Sequence, residues 1–232
     1  MMIKLLKYIF IVRSLICLNL FRQTINRYGT TAANFLEIGV GSRATSMGDA
    51  YVAVANDVSS IYWNPAGLSN VSNSSALFMV QPWLVDIDML FAGGAVVVPN
   101  VGVLGLGITH LDYGEMDVTN LEYQDGTGER FGASDMAATF TFSRKIVSWF
   151  SFGSSMKYIS SNIWHSSASA FAVDLGVLVN TKFFSFTGND KDGMNIGMSI
   201  SNYGTRMQYD GIDSYQPIDC LLYTSDAADD TP

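Results

Sequence analysis

The chain is predicted to be all-β: an antiparallel transmembrane β-barrel, present as an open half-barrel of about seven strands and preceded by a short N-terminal helical hatch. Three observations predict it. From about residue 75 the sequence runs in segments of roughly ten residues that alternate large apolar side chains with small or polar ones, the repeated signature of barrel strands. Charge is kept out of those segments and concentrated in the connections between them. Aromatic residues (Trp83, Tyr113, Trp149, Tyr158, Trp164, Tyr203) are placed near the expected strand ends, as interfacial girdles require.

Residues 1–28 have the make-up of a signal peptide or of a mis-set start. Lys4 and Lys7 form a basic region and Tyr8 to Phe21 is mostly apolar, but Arg13 interrupts that run and it is shorter than the ~20 residues of a spanning helix. Residues 220–232 begin CLLYTSDAAD, which matches the translated end of a sequencing-library adaptor and is set aside from fold reasoning. Cys17 and Cys220 both fall in these flanks. A disulfide framework or a cysteine-ligated metal in the body of the chain is thereby excluded. The whole chain has a net charge of -8, and the body without its flanks keeps eight basic against eighteen acidic groups. So acidic a surface excludes nucleic acid as a partner, because that binding depends on Lys and Arg neutralising phosphates.

Residues 29–72, ahead of the first strand, are different in kind and form the expected hatch or plug. Ser42 can cap a helix from about Arg43 to Ala55, with Met47, Ala50, Tyr51 and Val54 on one face. Asp57 to Ser60 breaks it. Pro65 then suits the first turn of a second short helix that Gly67 can end.

The strands occupy residues 73–219. Gly102, Leu104, Leu106 and Ile108 alternate with Val101, Val103, Gly105 and Gly107, apolar on both faces, which suits a strand packed on an internal plug. Met136, Ala138, Phe140 and Phe142 oppose Asp135, Ala137, Thr139, Thr141 and Ser143. Phe150, Phe152, Met156 and Tyr158 oppose Ser151, Gly153, Ser155 and Lys157. Phe171, Val173, Leu175, Val177 and Val179 oppose Ala170, Ala172, Asp174 and Gly176. Met194, Ile196, Met198 and Ile200 oppose Asn195, Gly197, Ser199 and Ser201. A soluble sandwich would show Lys and Glu on its outer face. Here the face opposite the apolar one is small and nearly uncharged, so the large apolar face is assigned to lipid and the small one to the lumen. Asp135, Lys157 and Asp174 are then lumen charges on three consecutive strands.

Pro99-Asn100 and Lys145 to Ser148 read as short periplasmic turns. Leu111 to Arg130, with Asp112, Glu115, Asp117, Glu122, Asp125 and Glu129, reads as a long outer loop. Its Asp125-Gly126-Thr127-Gly128-Glu129 run lacks the spaced ligands of an EF-hand, and no metal site is assigned. Phe183 to Asp192 is a further connection, turning at Gly188-Asn189-Asp190.

Enzyme readings find little support. Phe35-Leu36-Glu37-Ile38-Gly39-Val40-Gly41 resembles the first motif of methyl-donor-dependent methyltransferases, but the third glycine is missing and no alternation of strands with 10–15-residue helices comes after it. His110 and His165 stand near expected strand ends, and the neighbours Ser166 and Ser167 send their side chains to opposite faces. No catalytic residue and no cofactor is assigned.

The run from Phe35 to Leu68, closing in Tyr62-Trp63-Asn64-Pro65-Ala66-Gly67-Leu68 ahead of amphipathic strands, resembles the PorV/PorQ family of outer-membrane proteins, related to FadL-type barrels, over nearly all of Thr30 to Asp219. The Asn64-Pro65-Ala66-Gly67-Leu68 box carries most of that resemblance, while Gly48-Asp49 departs from the family's frequent Gly-Gly. The resemblance implies a location in the outer membrane of a Gram-negative-type bacterium, surrounded by outer-membrane lipid. It implies a helical hatch plugging the barrel, and about twice the number of strands for closure. It also implies one of two functions: a channel for hydrophobic or amphipathic solutes, or an accessory or scaffold component of type IX protein secretion that engages secretion-system subunits.

Overall fold

A computed structural model describes residues 32–187 and 193–211. The flanks assigned to a leader and to an adaptor lie outside those residues, as does the Gly188-Asn189-Asp190 turn. Seven strands form one antiparallel meander in chain order: β1 (Ser75–Pro82), β2 (Asp88–Val98), β3 (Gly102–Asp117), β4 (Arg130–Val147), β5 (Phe150–Ile163), β6 (Ser166–Asn180) and β7 (Asn195–Gly204). A two-residue strand, β8 (Asp210–Gly211), adds to the sheet by pairing with the start of β6. β1 and β7 are not paired with each other, so the sheet is open. Among the described residues no helix is long and apolar enough to cross a membrane, which leaves spanning by strands untouched.

The two faces are inverted relative to a soluble sheet. On β4 to β6 the inner residues Thr139, Thr141, Ser143, Ser151, Ser155, Ser161, Ala170 and Ala172 are buried, and Phe140, Met156 and Phe171 are 49%, 61% and 58% exposed on the other face. Leu106 pairs with Phe140 at the same height and is 65% exposed. In water, a continuous face of this kind would drive association. With lipid as the solvent on that side, the pattern is the stable one, because hydrocarbon welcomes the large side chains and the ladders satisfy the backbone.

Strand ends depart from the sequence expectations. The acidic loop is shorter than Leu111 to Arg130, because β3 and β4 continue to Asp117 and Arg130. Arg130 holds that extension, its Nε 2.9 Å from Asp117 Oδ1 and its Nη1 3.0 Å from Glu115 Oε2. A bulge between Asp112 and Glu115, where Gly114 has φ +72°, turns Tyr113 inward. Its hydroxyl donates to Asp135 Oδ2 at 2.7 Å, so Tyr113 does not belong to the girdle. Tyr158 stands in mid-strand, its ring tilted against Phe171 at 5.2 Å between centroids. His110 also lies within β3 rather than at its end, and the β4–β5 turn narrows to Ser148-Trp149 because β4 runs to Val147.

The N-terminal segment differs more. The helix expected from Arg43 to Ala55 is a single turn, α1 (Ser42–Thr45), capped by Gly41 without a side-chain bond. Gly48 and Asp49 take φ +61° and +64°, and two successive left-handed residues end any α-helix. Tyr51 is buried while Met47 and Val54 are exposed, so the expected apolar face does not form. A second turn, α2 (Ser60–Trp63), occupies part of the expected break. Asp57 starts it by accepting the Ser59 amide at 2.9 Å. The next element, a 3-10 helix (Pro65–Asn70), runs past Gly67 to Asn70. Phe35 and Leu36 lie in a 3-10 turn and not in a strand, so the glycines after them have none of the strand–turn–helix context a methyltransferase motif needs.

Leu106→Arg, at mid-height on the exposed apolar face, is expected to cost roughly 2–4 kcal/mol of folding stability in bilayers. Denaturant titration of the protein folded into vesicles measures it. Thr109→Ser on the inner face should fall well below that cost.

Candidate functional site

The inner face of the sheet is filled by the segment from Ala33 to Asn70, and the Asn64–Leu68 box is where the two meet most closely. Asn64 is extended (φ -157°, ψ 105°), as the residue before a proline must be, and Pro65 opens the 3-10 helix at its first position. The fully buried Asn64 side chain uses both ends. Its Oδ1 accepts the Ala66 amide at 3.1 Å, and its Nδ2 donates to Val52 O at 2.8 Å and to Val177 O of β6 at 3.2 Å. One amide side chain therefore caps the helix, ties the box to the preceding loop and ties both to the sheet. Aspartate lacks the donors and serine the reach.

The sheet side of this contact consists of absent side chains. A Cβ on Gly176 of β6 would collide with Asn64 Oδ1, and one on Gly153 of β5 with the Pro65 carbonyl group and the Ala66 amide. A Cβ on Gly105 of β3 would stand 2.7 Å from Leu68 Cδ2. Ser143 of β4 donates to Ala66 O at 3.1 Å. Gly67 is itself needed, because its Cβ would strike Ala55 O and crowd Ser60 Oγ at 2.8 Å. The sequence placed these strand glycines among small inner-face residues without marking them as a seat. The available signal was the inner-face pair of Gly153 and Gly176 on adjacent strands, with Gly105 two residues along on β3.

Above the box lie the inner charges. Lys157 of β5 and Asp174 of β6 are 3% and 1% exposed, with Nζ 2.8 Å from Oδ2 in ion-pair contact. Lys157 also donates to Asn202 Oδ1 at 2.7 Å, and Asp174 Oδ1 accepts the Asn202 amide at 2.7 Å. Asn202 reaches both because the β6–β7 register shifts opposite Asp174 and Asn202 takes φ +57°. A bulge of this kind re-aims a side chain that would otherwise follow the strand's alternation. Tyr62 covers the pair, its ring centroid 5.9 Å from Lys157 Nζ, and its hydroxyl is shared between Leu36 O at 2.6 Å and Ile38 O at 2.8 Å. Trp63 donates to Val40 O at 2.8 Å. Asp135, 8% exposed, lies apart from this pair with Tyr113 as its donor. The structure thus joins Lys157 and Asp174, gives Asp135 a separate partner, and seats Asn64, Pro65, Ala66, Gly67 and Leu68 beneath them.

Toward the β3–β4 connection, Phe35, Leu36 and Val40 pack on Met89, Phe91, Leu111, Ala137, Ile159, Ala170 and Ala172, closing the apolar part of the interior. His165 sits in the β5–β6 turn, its ring stacked at 4.3 Å on Trp164. Among the described residues no three His, Cys, Asp or Glu side chains converge as metal ligands.

This geometry has two measurable consequences. Removing one member of a buried pair strands the other, so Lys157→Met and Asp174→Leu should each cost about 3–5 kcal/mol, while the double variant should recover most of the loss. Denaturant titration of the three variants forms the cycle. Burial, then the charges of Asp49, Glu37 and Asp174, raises the Tyr62 phenol above its ordinary value. Its contribution is fully present below a pH of about 10, the unfolded value, and is lost as pH rises through the higher folded value. Trp63 fluorescence, reporting the adjacent ring at 5.2 Å, should therefore change at alkaline pH in the wild type and not in Tyr62→Phe.

No curated protein and no solved structure matches the chain. The family model described as type IX secretion system protein PorV matches residues 21–226, which takes in the hatch, every described strand and the box that joins them. The chain belongs to the PorV family of type IX secretion system proteins, which are outer-membrane proteins of Gram-negative-type bacteria.

Proposed function

We propose that the protein serves type IX secretion as an accessory or scaffold component whose hatch is a fixed plug. The observation that carries this reading is the seating of the Asn64-Pro65-Ala66 backbone against Gly153 and Gly176, with the Ser143 bond to Ala66 O. A channel for hydrophobic or amphipathic solutes needs a hatch that leaves the lumen or bends aside. Here its departure would strip partners from Asn64, the Ala66 amide and the Val52 and Val177 carbonyls, and would uncover Lys157 and Asp174. Each buried polar group left unpaired costs about 1–3 kcal/mol, so the docked state is strongly favoured. Contacts with secretion-system subunits then fall to the outside of the molecule. The acidic β3–β4 connection supports that assignment: Glu122, Asp125 and Glu129 lie within it and are exposed, and among the described residues their charges meet no cation in ion-pair contact.

The test uses the complete gene in its own host. Deletion should abolish appearance of cargo at the cell surface and leave uptake of a hydrophobic dye unchanged. Asn64→Ala, which strands buried backbone groups at about 1–3 kcal/mol each, should lower export while heat-modifiable gel mobility still reports an assembled barrel. Dye uptake that tracks the gene while export does not would select the channel instead.

A further inference from the structure

The β1–β2 connection leaves the sheet at the same end as the β3–β4 connection and carries apolar side chains past the lipid-facing band. Residues directly opposed on antiparallel strands share a face. Asp88, Asp112, Ser134, Asn162 and Ser167 are opposed in one row across β2 to β6. On β4 this row follows Phe140, Ala138 and Met136 on the lipid side, and each of its members is polar. It marks the border of the apolar face. Pro82 of β1 is opposed to Asp88, so residues 83–87 lie past that border. There Trp83, Leu84 and Val85 are 45%, 61% and 98% exposed.

The tip is held in a defined shape. Trp83 N–H donates to Ile87 O at 2.8 Å, and Ile87 N–H donates to Leu84 O at 2.9 Å. Ile87 itself packs against the buried cluster of Phe35, Met89 and Phe91. Val85 has φ +52°, a conformation that strains a β-branched residue. The fold thus keeps a nearly fully exposed valine at the tip in spite of that strain. The flanks are acidic: Asp86 and Asp88 follow directly, Asp112 is opposed to Asp88, and all three are exposed. Arg130 does not offset them, because Glu115 and Asp117 already hold it. Carboxylates so placed are repelled by the phosphates of an anionic lipid surface and attracted to the Lys or Arg rim of a protein. An apolar anchor within a polar rim is also the anatomy of a protein interface.

We propose that the β1–β2 tip is a docking point for a type IX secretion subunit that offers an apolar pocket rimmed by Lys or Arg. Leu84 and Val85 enter the pocket, and Asp86 and Asp88 meet the rim. The proposal rests on the scaffold reading and names a place where that role makes contact; it is independent of whether the hatch is fixed.

The test uses the full-length protein, tagged and expressed in its own host, with quantitative mass spectrometry of the type IX subunits it retains on purification. L84D/V85D should lower that retention about tenfold or more, as loss of an interface anchor does. D86N/D88N should lower it less, and added salt should weaken the wild-type complex. V85I should keep retention, and S148D, exposed at the tight β4–β5 turn, should leave it unchanged. Full retention by L84D/V85D with heat-modifiable mobility intact overturns the site. If L84D/V85D does not assemble, V85G decides, because glycine adopts φ +52° freely and removes only the side chain: retention equal to wild type overturns it. V85C carrying a nitroxide, in a chain otherwise free of cysteine and in bilayer discs without partner, should be relaxed by a water-soluble nickel chelate. Relaxation by oxygen instead places the tip in lipid and overturns the assignment. Gene deletion separates the two readings: export lost on deletion but intact in L84D/V85D, with retention unchanged, removes the docking point and leaves the scaffold role standing.

Discussion

The contact on which the rest of the structure depends is the approach of the Asn64-Pro65-Ala66 backbone to strands whose side chains are missing at that point. Glycine at 153 and 176 lets two backbones come within van der Waals distance, and any β-carbon at either position would meet main-chain or Asn64 side-chain atoms. Once the box is seated there, Asn64 bonds β6 and the Val52 loop, and Ser143 bonds the box from β4. Leu68 and Ile61 enter the space above Gly105. The N-terminal segment is thus met at close range by four neighbouring strands, β3 to β6.

The buried ion pair answers a different requirement. Lys157 and Asp174 gain little net stability from one another, because the cost of removing both from water offsets the attraction. What the pair does constrain geometrically is the position of Asn202. Asn202 satisfies both partners only when β7 is bulged opposite Asp174, so a β7 slipped by one residue would leave two buried charges without their amide partner. The same constraint extends to the hatch through Tyr62, whose ring lies over Lys157 and whose hydroxyl holds the Leu36 and Ile38 carbonyls. Strand pairing and hatch position are in this way coupled across the lumen.

Charge is distributed along the strands as well as across the faces. Carboxylates collect around the long β3–β4 connection, and Arg144 and Lys145 stand alone among described charges at the tight β2–β3 and β4–β5 turns. For a protein spanning a membrane this gives its two rims different charge, acidic around the β3–β4 connection and sparsely basic with an exposed tryptophan at the tight turns. The apolar band between them is featureless by comparison, which fits a surface whose solvent is hydrocarbon.

The alternation of Phe, Met and Val with Ser, Thr, Ala and Gly determined the strands, their faces and the outer-membrane barrel class, because a period of two survives without knowledge of any partner. It also determined that Asp135, Lys157 and Asp174 share a face. The helical segment was poorly legible. Helical spacing of Met47, Ala50, Tyr51 and Val54 predicts one long helix, yet Gly48 and Asp49 adopt left-handed conformations as the loop bends back, with the Asp49 carboxylate against Gly39. That geometry is set by packing on the sheet rather than by local propensity, which is weak over so short a segment. Tyr113 was misplaced for a similar reason: a bulge, not composition, decides which way its side chain points. The seat at Gly105, Gly153 and Gly176, the inward reach of Asn202 and the partners of Asn64 join residues up to 113 positions apart. Only the tertiary structure could decide them, because a glycine's role as empty space exists only once another backbone arrives to fill it.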